Sequence, residues 1–206
     1  MRGVLHQIAF FASLVVGVLL ILGADGARTR LVAAVFSASV AACLGTSALY
    51  HRRTWTPHVR LLMRRFDHAG VYVLIAGTYT PVSVLVLRGA WRPTILLIVW
   101  VGALAAIVLK FVWAGSPKWL AVAIALALGW AAVAVLPQLI AHLDAAAVTL
   151  LVAGGLVYTA GGIIYARRRP DPVPHVFGYH ELFHALTILA LTCQYIAIAF
   201  FVVHAG

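Results

Sequence analysis

Three histidines have the spacing expected of metal ligands. His180 and His184 are four residues apart, so a helix would carry both imidazoles on one face. A pair of this kind is weak evidence alone, because the chain has nine histidines in 206 residues. His51 supports the interpretation of this pair as metal ligands, because His51 ends a separate apolar segment. Three neutral imidazoles around a tetrahedral ion, with a fourth position open to water, are typical of a catalytic zinc site.

Two other polar side chains accompany these histidines. Ser47 lies one helical turn before His51, where its hydroxyl can hold a water molecule or orient the imidazole. Asp67 begins the next apolar segment and is the candidate base. Each has a simpler interpretation, because a serine can bond to the carbonyl four residues earlier and an acid is favourable in a first turn. We interpret the convergence of all five residues as a site.

The other histidines and the nearby acid are not selected by the same criteria. His68, His175 and Glu181 are close in sequence, but neither spacing nor depth singles them out. We interpret the remaining histidines as incidental residues of membrane edges or loops: His6, His58, His142 and His204. The sequence also lacks a GxSxG nucleophile motif and a Walker lysine motif.

The elements that must position the site are membrane-spanning helices. Hydrophobic residues make up 64% of the chain, charged residues only 10%, and the mean hydropathy is +1.04, which excludes a soluble globular domain. A spanning helix needs about 20 apolar residues. We therefore predict an all-α integral membrane protein, one domain over residues 1–206, with a seven-helix bundle whose spans cover 3–22, 31–51, 66–87, 93–112, 118–137, 146–166 and 178–203.

The connection between the second and third spans has its own pattern. Val59, Leu62, Met63 and Phe66 share one helical face, while arginines occupy the other. This predicts a short interfacial helix over 59–66, with an irregular basic loop as the alternative.

Basic residues are unevenly distributed between alternate connections. Eleven Lys and Arg residues lie on one side and four on the other. The positive-inside rule then places the N-terminus in the cytoplasm, the C-terminus outside, and the candidate site near the cytoplasmic side of the cell inner (plasma) membrane. This asymmetry accounts for the net charge of +10 and removes the argument for nucleic-acid binding.

Several stretches together resemble a known family. They are Ser47-Ala-Leu-Tyr-His51, the run from Arg65 to Tyr72, the run from Ile75 to Pro81, and His180 with His184. They are similar to the hemolysin III branch of the progestin and adipoQ receptor family, and the resemblance covers essentially the whole chain. It implies seven spans and a cytoplasmic N-terminus.

The resemblance also implies a cofactor and an activity. It implies Zn²⁺ held near the cytoplasmic leaflet by His51, His180 and His184, with Ser47 and Asp67 acting through its water. Because the wider superfamily includes alkaline ceramidases, it implies a metal-dependent hydrolase. The substrate would be a lipid amide or ester that enters laterally from the bilayer, and the role would be in membrane lipid homeostasis.

Two other functions remain open at this stage. One is a non-enzymatic lipid sensor in which structural zinc staples the second and seventh helices. The other is a pore-forming hemolysin, which is disfavoured because the polar residues cluster at one end instead of lining a path through the membrane. Imidazole ligands also suit several other divalent metals, and the sequence does not specify an oligomeric state.

Overall fold

The protein is an all-helical bundle of membrane-spanning length. The computed structural model describes residues 3–113, 115–174 and 176–205. Within these ranges, seven segments are long and apolar enough to cross a membrane, which confirms the predicted fold class. The α-helices are α1 (Val4–Gly23), α2 (Gly26–Arg52), α3 (Pro57–Leu85), α4 (Trp91–Val112), α5 (Lys118–Gly129), α6 (Leu136–His142), α7 (Ala145–Arg167) and α8 (Tyr179–Phe200).

The third span is longer than the sequence predicted. The prediction of a separate interfacial helix over 59–66 is wrong. These residues form the first turns of α3, which starts at Pro57. Proline suits a first helical position, since its missing N–H would have no intrahelical acceptor there. The apolar period of Val59 to Phe66 continues into the span without a break, so one helix runs from the arginine-rich turns into the bundle core.

The fifth span is broken, although the sequence predicted one helix over 118–137. It runs from Lys118 to His142 as α5, a 3₁₀ segment over Trp130–Val135, and α6. Tyr79 of α3 stabilises this break. Its hydroxyl donates to the Gly129 carbonyl at 2.5 Å and accepts from the Ala132 N–H at 2.7 Å. Lipid supplies no hydrogen-bond partner, so backbone groups released by a break need a protein partner.

Helices α2 and α3 approach each other closely through glycines. Gly70 and Gly77 are two turns apart on one face of α3. A Cβ atom at Gly77 would clash with the Ser39 side chain, and one at Gly70 would lie 3.0 Å from the Cys43 Cα. Because lipid tails are as apolar as leucine, helix pairing in membranes depends on such close packing of small residues.

Helices α7 and α8 pair in the same way. Gly154 and Gly161 of α7 are also two turns apart. A Cβ at Gly154 would lie 3.0 Å from the Ala190 carbonyl oxygen, and one at Gly161 would lie 3.2 Å from the Leu186 Cβ. The α2–α3 and α7–α8 pairs are the two most extensive helix contacts in the described part of the bundle.

One end of the bundle is strongly basic. It is the end where α2, α4 and α7 stop and where α3, α5 and α8 begin. This basic end carries ten of the fourteen Lys and Arg residues in the described ranges: Arg52, Arg53, Arg60, Arg64, Arg65, Lys110, Lys118, Arg167, Arg168 and Arg169.

The close approach of α2 and α3 gives a stability prediction. Gly77→Ala places a methyl group against Ser39, and overpacking of this kind costs about 1–3 kcal/mol. Gly155→Ala is the matched control, because a Cβ there meets nothing within 4 Å. Thermal unfolding in detergent can be monitored by size-exclusion chromatography of heated samples. The midpoint temperature of unfolding should be lower for Gly77→Ala only. Equal midpoints for both variants would contradict this packing argument.

Candidate metal centre

Three imidazoles from two helix pairs meet at the basic end. His51 lies in the last turn of α2, and His180 and His184 lie in the first two turns of α8. The Nε2 atoms of His51 and His180 are 3.2 Å apart, and one ligand nitrogen from each of the three residues lies within 4.8 Å of the others. Nitrogens about 2.0–2.1 Å from a tetrahedral zinc ion would be roughly 3.4 Å apart. The three side chains therefore fit a single ion.

Two carboxylates fix the start of α8. The Gly178 N–H donates to the Glu181 Oε2 at 3.1 Å, and the Tyr179 N–H donates to the Asp171 Oδ1 at 2.8 Å. The first N–H groups of a helix have no intrahelical acceptor, and negative charge is favourable beside them. Glu181, which the sequence did not select, therefore caps the helix that presents His180.

Asp67 and Ser47 lie beside the histidines. An Asp67 carboxylate oxygen is 3.9 Å from the His51 Nε2, and the Asp67 side chain is 13% exposed. The buried Ser47 hydroxyl lies close to this carboxylate. Gly70 contributes to this arrangement, because its close approach to α2 brings the start of α3 against the end of α2. All five residues that the sequence selected thus lie together.

His6 is a site neighbour that sequence reasoning missed. It was interpreted as incidental, but it is buried and stacks on His184 with ring centroids 3.9 Å apart and planes 8° apart. Neither ring nitrogen has a hydrogen-bond partner among the described residues. Gly3 explains the approach of α1, because its φ of +80° favours glycine and a Cβ there would lie 2.6 Å from the His51 Cβ. The only sequence signal was the depth of His6 at the start of the first span.

The other secondary histidines have different positions. His68 lines the same cavity as the site residues. His58, His142 and His204 are exposed, as expected for incidental residues. His175 lies outside the described residues.

One cavity is lined by two of the three histidines, and a second cavity adjoins the first. The first has a volume of about 80 Å³ and is lined by Ser47, Asp67, His180 and His184 together with basic and aromatic side chains. The second, of about 240 Å³, is apolar and lies among α3, the broken fifth span, α7 and α8. Tyr158 and Thr187 line both cavities. The polar site therefore adjoins an apolar compartment inside the bundle.

Comparison with known proteins assigns the family. A family model described as Haemolysin-III related matches residues 1–195. The chain belongs to this family. Its seven spans and its three-histidine cluster, which could hold a metal ion, are thus features of a haemolysin-III related membrane protein.

Named relatives come from bacteria and from a plant. The chain is 30% identical over 169 residues to the "Hemolysin-3 homolog" of Bacillus subtilis, covering 82% of this chain and 76% of that protein. It is 32% identical over 109 residues to "Hemolysin-3" of Bacillus cereus, covering 53% and 50%. It is also 28% identical over 180 residues to the "Heptahelical transmembrane protein ADIPOR2" of rice, Oryza sativa subsp. japonica, covering 80% and 79%. This last similarity relates the chain to the progestin and adipoQ receptor proteins.

The histidine geometry gives a metal-content prediction. Wild-type protein purified in detergent should contain about one metal ion per chain, and His51→Ala and His184→Ala should each lose it, because two ligands bind a metal far more weakly than three. His142→Ala is the control, since His142 is exposed at the opposite end. The metal content of each variant is measured by elemental analysis, and its folding is verified in the same preparation. Full metal content in a folded His51→Ala protein would contradict the site.

The stacking of His6 gives a second prediction. His6→Ala should weaken metal binding about 10–100-fold, as expected when a residue that orients a ligand is removed. His6→Phe should retain most of the affinity, because a flat ring can still pack on His184. Competition with a metal chelator measures both variants. The orienting role is excluded if His6→Ala binds metal as tightly as the wild type.

Proposed function

We propose that this protein is a zinc-dependent hydrolase that cleaves an amide or ester bond of a membrane lipid. The observation that carries the proposal is the cluster of three imidazole nitrogens within 4.8 Å, with a carboxylate 3.9 Å from one of them. By the positive-inside rule the basic end faces the cytoplasm, so the reaction takes place near the inner leaflet of the plasma membrane.

The side chains around the histidines suit hydrolysis. A zinc ion with an open position supplies an acidified water as nucleophile and polarises a carbonyl. Asp67, whose carboxylate lies 3.9 Å from the His51 Nε2, is the proposed acceptor of the proton of the attacking water. The Ser47 hydroxyl lies near this carboxylate in the wall of the same cavity, where its proton can be donated to a developing oxyanion.

The apolar cavity supports a lipid substrate. It lies behind the polar site, and its walls are almost entirely hydrocarbon and aromatic surface. An acyl chain held there would place its carbonyl beside Tyr158 and Thr187, which line both cavities. In this proposal the lipid enters the compartment laterally from the bilayer.

A lipid sensor with structural zinc is the second candidate. It is favoured by one observation, namely that the ligands come from α2 and α8, which belong to different helix pairs. Zinc would then staple the two pairs together. In that case, chelation unfolds the protein and the intact protein turns over no lipid.

Pore formation, suggested by the names of the Bacillus relatives, has less support. Buried ionisable side chains of the described residues gather at the basic end, whereas a pore requires a polar path through the bundle. Purified protein is therefore not expected to release dye from liposomes.

Activity of an Asp67 variant tests the hydrolase. Zinc-loaded protein is incubated with ceramide or phospholipid in mixed micelles, and released fatty acid is measured by mass spectrometry. Asp67→Asn should lower the rate about 10²–10⁴-fold, the usual contribution of a general base, while retaining its zinc. Asp144→Asn is the matched control, because Asp144 is exposed at the opposite end. Equal rates for Asp67→Asn and wild type would exclude the proposed base.

A further inference from the structure

Lys110 is a buried cation with no acidic partner among the described residues. Its side chain is only 4% exposed and lines the first cavity. Its ammonium donates to the Ser116 Oγ at 2.6 Å, and no described carboxylate lies within ion-pair distance of it. A charged group inside a membrane protein is costly unless it has a partner or faces a polar cavity. Lys110 therefore points to an anionic ligand.

Lys118 is a second cation near the histidines. Its ammonium donates to the Tyr179 hydroxyl at 3.2 Å and lies 4.6 Å from the centre of the Tyr165 ring. The Tyr165 ring in turn lies 5.5 Å from the His180 ring. Lys118 also lines the first cavity. One aromatic side chain thus separates the second cation from a candidate metal ligand.

The acids at the basic end are already engaged elsewhere. Asp67 contacts Ser47 and His51, while Asp171 and Glu181 cap α8. The chain has only five acidic residues, and the other two, Asp25 and Asp144, lie at the opposite end. In the described ranges, no protein carboxylate neutralises the two lysines. Arg64 and His68 stand near them and add no negative charge.

We propose that Lys110, Lys118 and Ser116 bind the phosphate group of a lipid headgroup. Two ammonium groups and a hydroxyl offer several donors to the oxygens of phosphate, and lysine is a common phosphate ligand in proteins. The apolar cavity next to the site favours a lipid over a free anion. That the bound phospholipid is also the substrate rests on the proposed hydrolase function.

Lipid binding to the full chain tests this site. Detergent-purified protein is titrated with phosphatidic acid or with diacylglycerol of the same acyl chains, and bound lipid is measured by native mass spectrometry. Phosphatidic acid should bind at least about tenfold more tightly, since a hydrogen bond to a charged group contributes on that scale. Lys110→Gln and Lys118→Gln should each remove most of this preference, whereas Lys110→Arg should keep it.

The control separates this site from general attraction between basic residues and anionic lipid. Arg60→Gln removes an exposed charge from the same end and should leave the preference unchanged. Equal binding of the two lipids, or an equal loss in Arg60→Gln, would overturn the proposal. Displacement of phosphatidic acid by an equal concentration of inorganic phosphate would overturn the assignment to a lipid headgroup.

The same measurements distinguish this inference from the hydrolase proposal. Binding is measured in Asp67→Asn protein, where no turnover is required. A preference for phosphatidic acid without turnover of any lipid by the wild type contradicts only the hydrolase. Turnover of ceramide by a protein that binds the two lipids equally contradicts only the phosphate site.

Discussion

The close approach of helices within two pairs is the constraint on which the candidate site depends. In a bilayer, packing of small residues replaces the hydrophobic drive between helices, and glycines two turns apart supply it in α2–α3 and in α7–α8. The first pair presents His51 and Asp67, and the second presents His180 and His184. Neither pair holds the full set of three imidazoles. The site therefore exists only when the two pairs are docked, and His6 of α1 packs where they meet.

Much of this arrangement could be predicted from the sequence because the relevant signals are local. Hydropathy over about 20 residues identifies a span regardless of its neighbours, and the i, i+4 spacing of His180 and His184 fixes their common face. The asymmetry of basic residues adds the orientation of the spans in the membrane. With that orientation, His51 lies at the same depth as His180 and His184. His6 carries no such signal, because a single histidine in an apolar helix shows nothing about which helix lies against it.

The broken fifth span shows the same limit more clearly. Its residues form one continuous apolar run, and the side chain that stabilises the break, Tyr79, is 50 residues away from Gly129. Local propensity cannot predict a break that depends on a partner in another helix. The consequence is functional, because the 3₁₀ segment and Tyr79 line the apolar cavity. A feature invisible in the local sequence thus provides the compartment that the lipid proposal requires.

The three-histidine donor set supports the proposed catalytic role over a structural one. Structural zinc is usually held by four protein ligands, whereas catalytic zinc keeps one position open. The cluster in the described residues has three donors. The nearest carboxylate, on Asp67, lies 3.9 Å from the His51 Nε2, and His6 meets His184 by parallel stacking of ring faces. A metal ion held by the three histidines would need a further ligand, and the adjoining cavity also contains two lysines whose charge no described carboxylate neutralises.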